Sequence, residues 1–139
     1  MVTGDAVMAA ADSDSPFGFE SLEVYQVARD FRIRIYKLTK LLAPDEKFGL
    51  AQQMRRAAVS LTNNIAEGHG RYHYQDNARF CRVARGSLGE LVDDINVCID
   101  EGYAEEEHLL DLKKDARRLY RLINGYVAYL KKQKDALKD

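Results

Sequence analysis

Proline is scarce in this 139-residue chain: only Pro16 and Pro44 occur, and both fall outside the periodic segments. Long stretches therefore contain no residue that would remove an amide donor and clash with the preceding helical turn. Cysteine is equally rare. Cys81 and Cys98 fall in one predicted helix, separated by roughly 25 Å at ~1.5 Å per residue, beyond the reach of a disulfide. They are expected to be reduced thiols of a cytoplasmic protein. No apolar run approaches the ~20 residues that span a bilayer. The chain does not open with a basic region followed by an apolar one, so no secretory signal is expected.

What is present suits an ordinary globular domain, with 46% hydrophobic and 31% charged residues and enough length to bury a core without staples. The formal net charge of −1 is unevenly placed. Residues 1–20 carry Asp5, Asp12, Asp14 and Glu20 and no Lys or Arg, which leaves the rest of the chain at +3. A mildly basic folded part permits contact with nucleic acid without demanding it. Residues 1–17 are small and polar with no sustained period. The expected division is a flexible tail over 1–18 and a single domain over 19–139.

Four amphipathic segments follow the tail. The first is predicted from about Ser21 to Leu42, with Val24, Val27, Phe31, Ile35, Leu38 and Leu42 as its buried stripe and Pro44 as its stop. The second begins near Asp45 or Glu46 and ends at Glu67; Leu50, Met54, Ala57, Leu61 and Ile65 share one face. Gly68 is expected just past its last turn, where positive φ ends a helix, with Gly70 discouraging a restart. The third runs from about Gln75 to Glu101, burying Phe80, Ala84, Leu88, Leu91, Ile95 and Cys98, with Gly102 as its cap. The fourth, about Glu105 to Lys134, repeats apolar residues at Leu109, Leu112, Ala116, Leu119, Ile123, Tyr126 and Leu130. Its acidic start, Glu105 to Glu107, and basic end, Lys131, Lys132 and Lys134, match the helix dipole. Short links make neighbours antiparallel, so the fold expected is an all-α, up-down-up-down four-helix bundle.

Apolar and aromatic residues lie beyond a single seam: Leu22, Tyr25, Ile33 and Tyr36, then Val92 and Ile99, then Tyr120, Val127 and Tyr129. This surplus favours burial between subunits, and hence a homo-oligomer. Gly86 and Gly89 interrupt a good helix at ~1 kcal/mol each, which points to close helix–helix packing there.

Three stretches carry a family resemblance. They are Arg55-Arg56-Ala57-Ala58-Val59-Ser60, Asn64-Ile65-Ala66-Glu67-Gly68 and Gly86-Ser87-Leu88-Gly89-Glu90-Leu91. Together with Phe19 to Tyr25 and Lys47 to Leu50, they resemble a small bacterial four-helix-bundle family over about Phe19 to Leu130. That family comprises the proteins encoded in ribosomal RNA intervening sequences and the accessory (Avd-like) proteins of diversity-generating retroelements. The resemblance implies a ring-shaped homopentamer that partners structured RNA, DNA or a retroelement reverse transcriptase. The sequence pI of about 6.3 departs from the strongly basic retroelement proteins.

The residues themselves offer few catalytic parts. Asn64, Glu67, Ser87 and Glu90 are predicted to form a structural polar network where the second and third helices pack, with Asn63 and Arg55 or Arg56 nearby. No nucleophile or cleft signature accompanies its carboxylates, so no catalytic residue and no enzyme activity are expected. His69, His73 and Asp76 have loose metal-ligand spacing, but they lie in a turn and are expected to be solvated; no metal or cofactor is expected. The basic residues are the strongest lead. Arg79, Arg82 and Arg85 point away from the third helix's seam, and Lys114, Arg117, Arg118 and Arg121 away from the fourth's. Arg55 and Arg56 flank the second seam, and Arg71 sits with Tyr72 and Tyr74 in the loop between helices. Guanidinium forks fit phosphate oxygens, and adjacent tyrosines stack on unpaired bases. Asp93, Asp94, Asp111 and Asp115 interleave with these bases, as on a mixed, solvated surface. The expected function is a non-enzymatic oligomeric scaffold for nucleic acid or a nucleoprotein, the alternative being a protein-interaction ring that binds no nucleic acid.

Overall fold

A computed structural model describes residues 16–138. Residues 1–15, most of the expected tail, lie outside the described residues. A 3-10 turn, Gly18–Ser21, leads into α1 (Glu23–Thr39); a second 3-10 turn, Pro44–Glu46, precedes α2 (Leu50–His69). Then come α3 (Tyr74–Glu101) and α4 (Glu106–Lys138).

Polar contacts between helices give their directions. Arg32 on α1 donates to Thr62 on α2 (2.7 Å), whereas Arg55, earlier on α2, donates to Thr39, later on α1 (2.8 Å). Position falls on one helix as it rises on the other, so the pair is antiparallel. Ser60 with Ser87 and Gln53 with Asp94 relate α2 and α3 in the same sense. Arg85 with Asn124 and Lys113 with Asn96 do so for α3 and α4. The protein is all-α, its four helices packed as an antiparallel bundle.

The predicted seams of α2 and α4 are buried at every position. On α1, Ala28 takes a fully buried place and Val27 is only partly covered; on α3, Cys81 is buried while Phe80 lies at the edge. Much of the apolar surplus is absorbed within the chain. Leu22 is fully buried, and Tyr25, Tyr36, Val92, Ile99, Val127 and Tyr129 pack against the core. Of the residues expected to need a second subunit, Ile33 and Tyr120 remain exposed.

Besides α4, which runs on to Lys138 past the expected Lys134, three helix limits differ from expectation. First, α1 ends at Thr39, before Pro44, because the Thr39 hydroxyl donates to the Tyr36 carbonyl (2.7 Å) and the next amides bond three residues back. Second, α2 starts only at Leu50. The segment Pro44–Glu46 turns separately, and Glu46 then accepts the Leu50 N–H (3.4 Å) in place of a side-chain cap on Gly49. Third, Gly68 lies inside α2 and does not terminate it. The helix continues to His69, and among the described residues only Gly102 has positive φ (66°).

Gly68 is required for a different reason. A Cβ there would stand 2.7 Å from Asn77 Oδ1, 2.9 Å from Phe80 Cβ and 3.0 Å from the Asn77 carbonyl oxygen. The missing side chain lets the end of α2 touch the start of α3. Gly86 and Gly89 show the reverse of what was expected: both are exposed, and among the described residues a Cβ at either would meet nothing within 4 Å outside its own stretch of helix. The end of α3 follows prediction. With Gly102 left-handed, its N–H bonds to Ile99 O and the Tyr103 N–H to Cys98 O (3.0 Å), a Schellman arrangement.

Candidate nucleic-acid interface

The outer surface of α4 begins from a simple pattern: basic residues at steps of three and four on the face opposite the buried seam. Lys114, Arg117, Arg118 and Arg121 are all exposed there. Two of the acids that interleave with them in sequence are engaged elsewhere, although Lys114 shares an open depression with Glu105, Glu106, Glu107 and Asp111. Arg34 of α1 pairs with Asp111 (3.1 Å) and, more closely, with Asp115, drawing both carboxylates to the α1–α4 side. Among the described residues, the four basic side chains form no ion pair.

The remaining predicted basic residues divide into two groups. Arg56 and Arg82 are exposed and, among the described residues, form no ion pair. Arg55 is half-buried, donating to Thr39 and lying over the Tyr36 ring at 5.2 Å; it locks α1 to α2. Arg85 is also half-buried, donating to Asn124 Oδ1 (2.8 Å) with its guanidinium 5.9 Å from the Tyr120 ring centre. Arg71 pairs with Glu67 (2.7 Å) and Arg79 with Asp76 (3.7 Å). Both reach the same ring: Phe80 has Arg71 at 4.8 Å and Arg79 at 5.4 Å, so it gathers two cations where α2 meets α3.

Only half of the predicted polar network assembles. Ser60 joins Ser87 (2.9 Å), and the Asn64 amide donates to the Ser60 carbonyl (2.8 Å) and hydroxyl (3.1 Å). Glu67 instead faces outward to Arg71, and Glu90 is exposed with no hydrogen bond or ion pair among the described residues. Both carboxylates sit on the solvent side of their helices, where the α2–α3 seam cannot reach them. Asn64 and Glu67 line an open depression of about 430 Å³ with Phe19, Asn63 and Ala66. Ser60, the bridging residue, is signalled in the sequence by its position four residues before Asn64, one helical turn away.

Two polar features were hidden from the sequence. Asp94, expected among solvated acids, is buried: Gln53 donates to its Oδ1 (2.7 Å), and among the described residues Oδ2 has no hydrogen-bond partner. Burial, partly opposed by the Gln53 bond and assisted by nearby Glu90 and Asp93, holds this carboxyl above the usual range. The second feature lies at the end of the bundle formed by the α2–α3 turn. Cys81 donates weakly to Asn77 Oδ1 (3.6 Å), and the Asn77 amide donates to the Tyr126 hydroxyl (3.0 Å), which is 3.3 Å from His69 Nδ1. Burial lowers the pKa of His69, favouring the neutral ring. Nδ1 is then free to accept the Tyr126 proton. His69 is thus engaged in packing, while His73 remains exposed against the Tyr72 ring. Among the described residues, no group of three or more His, Cys, Asp or Glu is placed to hold a metal ion. Nor is any described helix long and apolar enough to cross a membrane.

This combination defines the class: an antiparallel four-helix bundle with exposed basic residues on α4 and short connections. A model of the 23S rRNA-intervening sequence protein family matches residues 20–125. The chain belongs to that family. Among solved structures it is similar to a protein of unknown function from the S23 ribosomal protein family of Bacteroides thetaiotaomicron. The TM-score is 0.70 at 22% identity, over 76% of this chain and 95% of that one, a likeness of fold. A comparison with curated proteins found no match.

Proposed function

We propose that this protein is a non-enzymatic, cytoplasmic scaffold that acts as a homo-oligomer and associates with structured RNA or a nucleoprotein. The observation that carries this reading is the outer face of α4. Lys114, Arg117, Arg118 and Arg121 stand exposed there and, among the described residues, without ion-pair partners, while Arg34 engages Asp111 and Asp115. Arg56 and Arg82 are further exposed cations on α2 and α3, Arg71 and Arg79 are exposed but paired with Glu67 and Asp76, and Arg55 and Arg85 are anchored by hydrogen bonds to Thr39 and Asn124. Phosphate contact by such side chains needs no base readout and is sensitive to salt. The family's description names an intervening sequence of 23S rRNA, which makes structured RNA the first candidate. A reverse transcriptase of a diversity-generating retroelement, with its RNA or DNA, is the partner implied by the wider resemblance.

Assembly into a ring, five subunits by that resemblance, would repeat the basic patch and turn weak contacts into avidity. Exposed helical glycines cost about 1 kcal/mol each relative to alanine. Gly86 and Gly89 sit on a face of α3 with the half-exposed Val83. A neighbouring subunit's backbone against this face would account for the glycines. The same exposed Val83, with Tyr120, supports a second reading, a ring that binds only protein partners.

Fluorescence anisotropy with labelled structured RNA, at low and physiological salt, tests the first reading. Saturable binding that weakens with salt and is lost on reversing charge at Arg117, Arg118 and Arg121 is expected. Absence of binding at low salt would remove it and leave the protein-interaction ring. Sedimentation velocity tests the assembly separately.

A further inference from the structure

The end of the bundle that carries the α2–α3 turn contains a cleft that the basic face of α4 does not explain. A cavity of about 290 Å³ opens between the turn and the last third of α4. Tyr72, Tyr74 and Tyr129 contribute aromatic surface, and Arg71 lies at its edge. Its inner lining is mixed and fixed: buried Leu22 and Leu130 lie beside Asn77 and Tyr126, both buried and held by the hydrogen-bonded chain that ends on His69. A second cavity of about 370 Å³ shares Tyr72 and Tyr74 and is bordered by Lys134. Lys134 forms no ion pair among the described residues, and Tyr72 is 93% exposed although it is a large aromatic.

Size, surface and charge select the occupant. The inner cavity is at the bottom of the range of about 300–1,000 Å³ that ligand clefts occupy, which suits a single flat ring system. Tyrosine faces stack on any nucleobase, whatever its sequence. Cations lie on two sides: Lys134, and Arg71, which must exchange its Glu67 partner for a phosphate oxygen and shares the Phe80 ring with Arg79. The opposite end of the bundle suits such a ligand less, since Asp100, Glu101, Glu105, Glu106 and Glu107 are concentrated there.

We propose that this tyrosine-lined cleft receives one unpaired nucleobase of a single-stranded nucleic acid, with Tyr72 as the stacking platform and the flanking phosphates on Arg71 and Lys134. The proposal rests on the nucleic-acid reading above and adds to it a place where bases, as well as phosphates, are held. The α4 face then supplies non-specific attraction, and the cleft distinguishes an unpaired segment from a continuous duplex.

A short single-stranded RNA with one 2-aminopurine, and its abasic counterpart, test this against the full-length protein. Binding should quench the 2-aminopurine fluorescence. Tyr72→Ala should abolish the quench and weaken binding about 5- to 100-fold, the span that loss of one base–aromatic stack gives; Tyr72→Phe should retain both. The exposure of Tyr72 leaves the fold intact in either variant, which circular dichroism verifies. The abasic RNA should bind the parent protein about as weakly as the intact RNA binds Tyr72→Ala. Equal affinity for abasic and intact RNA, or an undiminished quench in Tyr72→Ala, would overturn the cleft while leaving phosphate binding in place. Failure of every RNA to bind at low salt would overturn both.

Discussion

Replacing Gly68 by alanine isolates the contact on which the α2–α3 packing depends. The added methyl would enter a space bounded by Phe80 Cβ at 2.9 Å and the Asn77 carbonyl at 3.0 Å, atoms at or next to the α3 backbone that cannot rotate away. Asn77 Oδ1 at 2.7 Å would also have to move, disturbing the amide that donates to Tyr126. Overpacking of this kind costs about 1–3 kcal/mol, and weakening the buried hydrogen bond adds about 1 kcal/mol. Against this, alanine gains at most about 1 kcal/mol of helix propensity over glycine. The net expectation is a loss of about 1–3 kcal/mol, or a fall of roughly 4–10 °C in Tm for a domain of this size. Gly86→Ala and Gly89→Ala are the internal controls. Among the described residues, no atom outside their own stretch of helix lies within 4 Å of their added methyls, so the intrachain effect is propensity alone, a gain of up to about 1 kcal/mol each. Thermal and urea unfolding followed at 222 nm measures all three, at a concentration where sedimentation shows one species. A Gly68→Ala protein as stable as its parent would refute the close-approach reasoning.

Three further outcomes are expected. Tyr126→Phe removes the acceptor of the buried Asn77 amide and the donor to His69; urea titration should show a loss of about 1–3 kcal/mol, the cost of an unsatisfied buried group. Asp94→Asn keeps an oxygen for Gln53 and removes a carboxylate that burial disfavours. Because the folded pKa is raised, the acid's contribution is fully favourable below its ordinary value of 3.8 and is lost as pH rises through the folded value. Asp94→Asn should therefore raise Tm at pH 7, with the gain shrinking as pH falls towards 4, and an equal gain at both pH values would contradict this. Burial pushes the Cys81 thiol up to about 12 and Cys98 to about 11. Neither should react with a disulfide reagent at pH 8 in the native protein, and both should react once it is unfolded in urea.

The helices and their buried seams were legible in the sequence because they depend on local period. Apolar residues at steps of three and four must share a face, and a chain almost without proline has no reason to leave the helix. Leu50 through Ile65 and Leu109 through Leu130 needed nothing more. The left-handed cap at Gly102 was equally local. The role of Gly68 was not, since whether a glycine ends a helix or admits another one depends on what lies opposite. The fates of the charges were hidden for the same reason. Asp111 and Asp115 look like partners of the arginines beside them, but Arg34, remote in sequence, takes both. Asp94 looks solvated until α2 covers it, and His69 looks like a loop residue until Tyr126 arrives beneath it. Sequence by itself determined which faces are apolar, because that follows from spacing along one helix. Only tertiary structure decided which polar groups are free to meet a ligand, because a charge is neutralised by whatever packing brings within a few ångströms of it.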